Sequence, residues 1–263
     1  MKPSFLLPLF LSALLLSVVA QAQNPVSAPP VPLKEEPHHH LAFENAFVRV
    51  WYFDLPGHES TLLHSHDLPY IGVALTPGDY INAVAGKPEA HATADDGQLN
   101  YSKGGFAHSV RTDEGSPYHN FTIELLRPQG TSRNRCVKVI DAPFDCPVEA
   151  AGKPAVELPA FETDEVLVQV GGLPEGRFYN AGSSQQPRLF VVLSDSNLSV
   201  EVAGQKAKKL KGGELYWLPP GTSATVTDVT PPKKGKDKDK QDEFKISRFY
   251  ILVFKDSTEP PAK

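Results

Sequence analysis

Absences divide this sequence before any motif does. Its 263 residues include only two cysteines, and no histidine lies beyond residue 119. No cluster of lysine and arginine stands beside aromatic residues, and the formal net charge is -5. That argues against a nucleic-acid partner, which needs a basic face for phosphate contacts. No segment keeps a helical period of useful length, so a DNA-binding helical element is also left out. Beyond the first twenty or so residues no apolar stretch is long enough to span a bilayer. No cysteine follows that first stretch, which removes a lipid anchor.

What is present begins with a targeting pattern. Lys2 precedes the apolar run FLLPLFLSALLLSVVA, which ends at Ala20, and Ala20-Gln21-Ala22 supplies the small residues of a cleavage site. An uncleaved anchor is the alternative, and Pro8 and the polar, Pro-rich sequel oppose it. Residues 1–22 are therefore expected to be a signal peptide and the mature chain to be exported, periplasmic or secreted. In an oxidising compartment the pair Cys136 and Cys146 is most simply a disulfide that pins a loop. A thiolate metal site is the alternative, but two thiolates without a nearby histidine make a poor one.

Residues 23–40 read as a Pro-rich tether ending in the exposed cluster His38-His39-His40, which would bind metal only adventitiously. From Leu41 the pattern turns to short β-branched and aromatic runs separated by turn signals such as Pro56-Gly57 and Gly104-Gly105. Many short strands at regular spacing predict a sandwich or barrel over 41–130. Residues 131–154 form a linker holding the cysteines, and the strand pattern returns over 155–263. PYIGVAL at 69–75 precedes PRLFVVL at 187–193 by 118 residues, and NAVAG at 82–86 precedes VEVAG at 200–204 by the same 118. A fixed offset across two segments reads as an internal duplication. The charged stretch 231–243, PPKKGKDKDKQDE, reads as a solvated hairpin loop, because its aspartates offset its lysines.

The stretch LLHSHDLPYIGVAL, residues 62–75, carries the chemistry. Residues two apart on a strand share a face, so His64 and His66 project together. Leu68 and Tyr70 would share that face too if Pro69 did not interrupt the strand. Two imidazoles in one cavity are half of a transition-metal site, and His108, after the Gly104-Gly105 turn, is the candidate third ligand. His119 alternates with Phe121 and Ile123, and either faces the cavity or lies at its entrance. His58 and His91 read as loop residues.

These residues resemble the motifs of the cupin superfamily. Gly57, His64, His66 and Gly78 fit the first motif, with one extra residue in the first spacer. Gly97, Gly105 and His108 fit the second, with Lys103 in place of its proline and Thr112 in place of its asparagine. The resemblance implies an all-β chain: two tandem antiparallel β-barrels of jelly-roll type, the first holding a metal. The second is a degenerate copy. Gly213, Trp217, Pro219 and Gly221 keep its framework, but Ala224 takes the histidine position and Gly182 and Ser184 stand where His64 and His66 would be. The family's glutamate ligand is missing, and Tyr70, at its place, would orient a substrate through its hydroxyl.

Three neutral histidines leave a divalent ion's charge intact and suit Fe, Mn, Ni, Cu or Zn. Two functions follow. One is a metal-dependent enzyme acting on a small molecule, a dioxygenase-type oxidoreductase or an isomerase or lyase. The other is a small-ligand-binding module without chemistry. The partner in both is a small-molecule ligand, and a homodimer is left open.

Overall fold

Burial along one strand explains the layering. In Val48–Leu55, Val48 and Val50 face one way and Phe53 and Leu55 the other, and all four are buried. A strand covered on both faces lies in a middle layer of the molecule. The computed structural model describes residues 29–112, 115–150, 152, 156–231 and 246–255. The expected signal peptide, the first residues of the tether and the charged loop from residue 232 lie outside the described residues.

The first half folds into two five-stranded sheets. One runs, edge to edge, Val31–Pro32, His64–His66, Phe106–Arg111, Gly78–Val84 and Ala90–Ala94; the other runs His39–Glu44, Val48–Leu55, Tyr118–Leu125, Tyr70–Ala74 and Leu99–Ser102. The second half repeats the plan. Its six-stranded sheet runs Ser132–Asn134, Leu158–Thr163, Val166–Pro174, Ile246–Phe254, Arg188–Val192 and Leu215–Leu218, and its four-stranded sheet runs Phe178–Ala181, Ala224–Asp228, Asn197–Val202 and Lys208–Lys211. Strands distant in sequence lie side by side, as in a jelly roll: Tyr118–Leu125 pairs with both Val48–Leu55 and Tyr70–Ala74. The expected all-β class holds, and a turn of 3-10 helix at Leu33–Glu35 is the sole helical element among the described residues.

The 118-residue offset survives in three dimensions. Tyr70–Ala74 maps onto Arg188–Val192 with identical bounds, and Ile71 and Val73 share their core with Leu189 and Val191. On the opposite face the halves diverge. By the same offset Gly72, Tyr80 and Asn82 of the first half correspond to Phe190, Leu198 and Val200, and by strand register His108 corresponds to Ala224; the four are buried together in an apolar cluster. The strand register carries this further: Asn120 and Thr122 correspond to Phe249 and Ile251. The second interior is therefore filled by hydrocarbon where the first is lined by polar groups around open space.

One apolar core joins the halves. Val50, Ile71, Phe121 and Ile123 pack with Val168, Leu189, Tyr250 and Leu252. Trp217 lies against Phe43 and Phe47, with ring centroids 5.8 and 5.7 Å away. The Tyr250 hydroxyl donates to the Gly97 carbonyl at 2.6 Å, and Arg248 pairs with Asp96. Beside this seam Cys136 and Cys146 are joined by the expected disulfide. Buried Asn134 organises their loop, donating to the carbonyls of Ile140 and Ala142 and accepting from the N–H groups of Val139 and Ile140.

Two expectations need correction. Residues 31–40, read as tether, pack on the first half: Val31–Pro32 pairs in parallel with His64–His66, and Leu33 is buried. His91 is not in a loop but in the strand Ala90–Ala94, exposed and 2.6 Å from Asp79. In both cases tertiary strand pairing overrides a sequence without clear alternation.

Candidate metal centre

The two glycines expected to turn the chain before His108 do so. Gly104 and Gly105 both have positive φ, 71° and 77°, where a side chain would be strained. The turn lets the Gly105 N–H donate to the His66 carbonyl at 2.6 Å, and Phe106–Arg111 then runs back along His64–His66. That register sets His108 directly opposite His64. Alternation places His66 on the same face. The three rings meet with centroids 4.6 Å (His64–His108), 4.9 Å (His66–His108) and 5.1 Å (His64–His66) apart.

The chain then leaves this sheet. Pro69 ends the pairing, and Tyr70 belongs to the facing sheet. Tyr70 still reaches the same cavity, from the opposite wall, with its ring 4.7 Å from that of His66. Burial pushes its hydroxyl up to about 12, so it stays protonated and can donate. The cavity holds about 110 Å³, and its other polar walls are Tyr80, Asn82, Gln98, Asn100, Tyr118, Asn120 and Thr122. Among the described residues no lysine, arginine, aspartate or glutamate lines it.

Hydrogen bonds choose the tautomers. The Leu62 carbonyl lies 2.9 Å from His64 Nδ1, which must therefore carry the proton, leaving a lone pair on Nε2. Asn82 Oδ1 lies 2.8 Å from His108 Nδ1 and does the same there. Nε2 of His108 sits 3.0 Å from Nε2 of His66. Two ligands at about 2.1 Å from one ion and at right angles to each other would be about 3 Å apart, so this spacing fits a shared cation. His64 Nε2 and His66 Nδ1 are buried with no protein partner. Buried polar atoms are rarely left so, and a cation would satisfy the His64 nitrogen directly.

Protonation would compete with such an ion, and the site disfavours it. Burial first, and then the neighbouring imidazoles, push His66 down to about 2 and His108 to about 3; burial foremost takes His64 to about 4. At neutral pH all three keep their lone pairs. The donor set fits a divalent transition metal.

A fourth histidine lies here that sequence reasoning put elsewhere. His39, expected in an exposed cluster, is 8% exposed, and its ring stands 4.9 Å from His64 and 6.1 Å from His66. His39, His64 and His66 can each bring a ligand nitrogen within 4.8 Å of the others. Alternation could not have revealed this, because the next same-face residue, Leu41, is 54% exposed and a register shift follows it. Of its neighbours, His40 is exposed, while half-buried His38 bonds Glu36 and Glu59. His119 does not join the cavity. It pairs with Asp54 at 3.0 Å and lies beside Tyr52, lining a cleft toward Ser194 and Asn197 of the second half. His58 occupies a turn with φ 64°.

No protein-family model matches this sequence, and no curated protein does. Solved structures do match. AerE from Microcystis aeruginosa superposes with a TM-score of 0.51 at 11% identity, over 84% of this chain and 99% of that one. A salicylate 1,2-dioxygenase from Pseudaminobacter salicylatoxidans gives 0.51 at 12% identity, over 82% and 76%. HEPD from Streptomyces albus, with 2-hydroxyethylphosphonate and Fe(II) bound, gives 0.52 at 10% identity, over 84% and 71%. At these identities the likeness is one of fold. The chain therefore has the fold of these proteins, two jelly rolls in tandem, with its histidine cluster inside the first.

Proposed function

We propose that this chain is an exported, metal-dependent enzyme whose small-molecule substrate enters the first jelly roll. His64, His66 and His108 would hold a divalent transition metal, with Fe, Mn, Ni, Cu and Zn all compatible with the donors. The observation that carries the reading is the convergence of three buried, neutral imidazoles, with the lone pairs of His64 and His108 set by Leu62 and Asn82. Such an ion supplies Lewis acidity, or oxygen activation if it is iron or copper. The chain's own residues do the rest. Tyr70 donates from the wall facing His66, Asn82 orients His108, and the carboxamides of Asn100 and Asn120 offer both donors and acceptors to a bound polar molecule. The disulfide supports passage through an oxidising compartment.

Among the candidate reactions, the lining favours an oxidoreductase of dioxygenase type. An isomerase or lyase needs a general base, and among the described residues no carboxylate or amine lines the cavity. A solved structure of this fold, HEPD with Fe(II) bound, makes iron the first metal to test. The same lack of a carboxylate or amine base is what supports the second reading, a module that binds a small ligand and does no chemistry. Elemental analysis of the purified mature chain, with oxygen uptake measured against a panel of small molecules, separates them. Metal with turnover supports the enzyme, and ligand binding without turnover supports the module. A chain that takes up no divalent ion at neutral pH would sink the metal centre in both.

A further inference from the structure

The buried Glu36 has no role in the site described so far. It is 1% exposed, and it lies just before the strand that carries His39. Its carboxylate accepts from His39 Nδ1 at 2.6 Å and from His38 at both the backbone N–H, 3.0 Å, and Nδ1, 2.9 Å. With backbone and ring N–H groups converging on it, the Glu36 carboxylate fixes the proton of His39 on Nδ1 and leaves the lone pair on Nε2. A carboxylate behind one imidazole nitrogen is how proteins orient a histidine whose other nitrogen meets a metal. His39 lines the cavity with His64 and His66, and the three can offer nitrogens within 4.8 Å of each other.

The backbone around Glu36 has the same geometry. Val31 donates to the Leu63 carbonyl at 2.9 Å, and Val31 stands beside His64 in register. The segment then crosses from the sheet of His64 to the facing sheet, where His39 pairs with Phe53. Glu36 sits at this crossing and also accepts, at 3.4 Å, from the Leu62 N–H. Two sheets are thus bridged by one short segment, and the histidine at its end meets the histidines of the opposite sheet.

We propose that His39, oriented by Glu36, is a fourth ligand of the metal centre, and that the bound ion thereby fastens residues 31–40 across the first jelly roll. The inference rests on the metal-centre reading above and adds to it a ligand from the facing sheet. His39 stands in for the absent motif glutamate with a neutral donor, so the ion keeps its full charge. Glu36 is a positioning residue: it acts through His39 and lines no part of the cavity itself.

Zn(II) titrated into the full chain against a chromophoric chelator tests this, with hydrogen exchange of residues 31–40 followed in parallel. His39→Gln and Glu36→Gln should each weaken Zn(II) binding, Glu36→Gln by about 10- to 100-fold, while exposed His40→Gln leaves it unchanged. In the unmodified chain, Zn(II) should slow exchange across 31–40 as well as across 64–66 and 106–111. Co(II) absorption should change in His39→Gln. If the unmodified chain binds Zn(II), but exchange over 31–40 is indifferent to it and His39→Gln binds as tightly, His39 is no ligand and the three-histidine centre stands alone. If the unmodified chain binds no Zn(II), the centre itself is refuted and this inference goes with it. The exchange measurement needs no variant, so a misfolded His39→Gln cannot rescue the proposal.

Discussion

His64 and His108 stand directly opposite each other on neighbouring antiparallel strands, with their rings 4.6 Å apart. The pairing of two strands thus builds half of the site, and the site depends on that register. Replacing His64, His66 or His108 by alanine should each remove most bound divalent metal, as read by elemental analysis after gel filtration. His58→Ala and His91→Ala, at positions away from the cavity, should leave it unchanged. Full metal in His108→Ala, or equal losses in the controls, would refute the assignment.

Acid should loosen the metal-free protein early. The folded pKa values of His64, His66 and His108 lie at about 4, 2 and 3, below the ordinary 6.5. Below pH 6.5 the unfolded chain binds protons that the folded chain refuses, so the stability difference is fully present above about 6.5 and shrinks as pH falls toward about 4. The limit is roughly 1.4 kcal/mol per pH unit for each imidazole. Urea unfolding of chelator-treated protein from pH 7.5 to 4.5 measures it. A triple His→Gln variant should show a shallower slope, and an unchanged slope would count against the shifts.

Tyr70→Phe separates binding of substrate from binding of metal. The phenyl ring keeps the stack on His66, while the hydroxyl donor is lost. Metal content should be unchanged, and affinity for the best small-molecule ligand should fall roughly five- to tenfold, the scale of one hydrogen bond. Loss of metal instead would mean that Tyr70 supports the histidines rather than the ligand.

The disulfide closes a short loop, with a sequence separation of 10. Reduction, or the paired Cys136→Ser and Cys146→Ser change, should cost about 2–3 kcal/mol by chain entropy. Denaturant melts with and without reductant give the figure. Labelling of the unreduced, denatured chain should find no free thiol.

The seam between the halves predicts a single cooperative transition. Leu189 is wholly buried in the core that also holds Ile71. Leu189→Ala should cost about 2–5 kcal/mol and lower one calorimetric peak. Two separate peaks, with only the later half shifted, would show that the halves unfold independently.

Much of this molecule was legible in its residues because the relevant signals were local. The period-two spacing of His64 and His66, the glycines before His108 and the 118-residue offset all reappear as geometry. Less local features were not legible. His39 is buried because its neighbours pair across two sheets, and nothing in His38-His39-His40 distinguishes the buried ring from the exposed ones. The side of His119 is not legible either, because Tyr118–Leu125 is covered on both faces and alternation gives no inside or outside. The covered outer face of the first half is illegible for the same reason: a strand buried on both sides shows an apolar run, not a direction.

The strand Arg188–Val192 has two faces with different duties. Phe190 and Val192 fill only their own interior, whereas Leu189 and Val191 cover the sheet that carries Tyr70. Mutational drift is therefore limited on one face by packing alone and on the other by the first site as well. Volume-conserving exchanges inside the histidine-free half stay local. A change at the seam reaches the cavity wall through one layer of side chains. Selection on the first site would by itself preserve the second half, and would do so even if that half had never bound anything of its own.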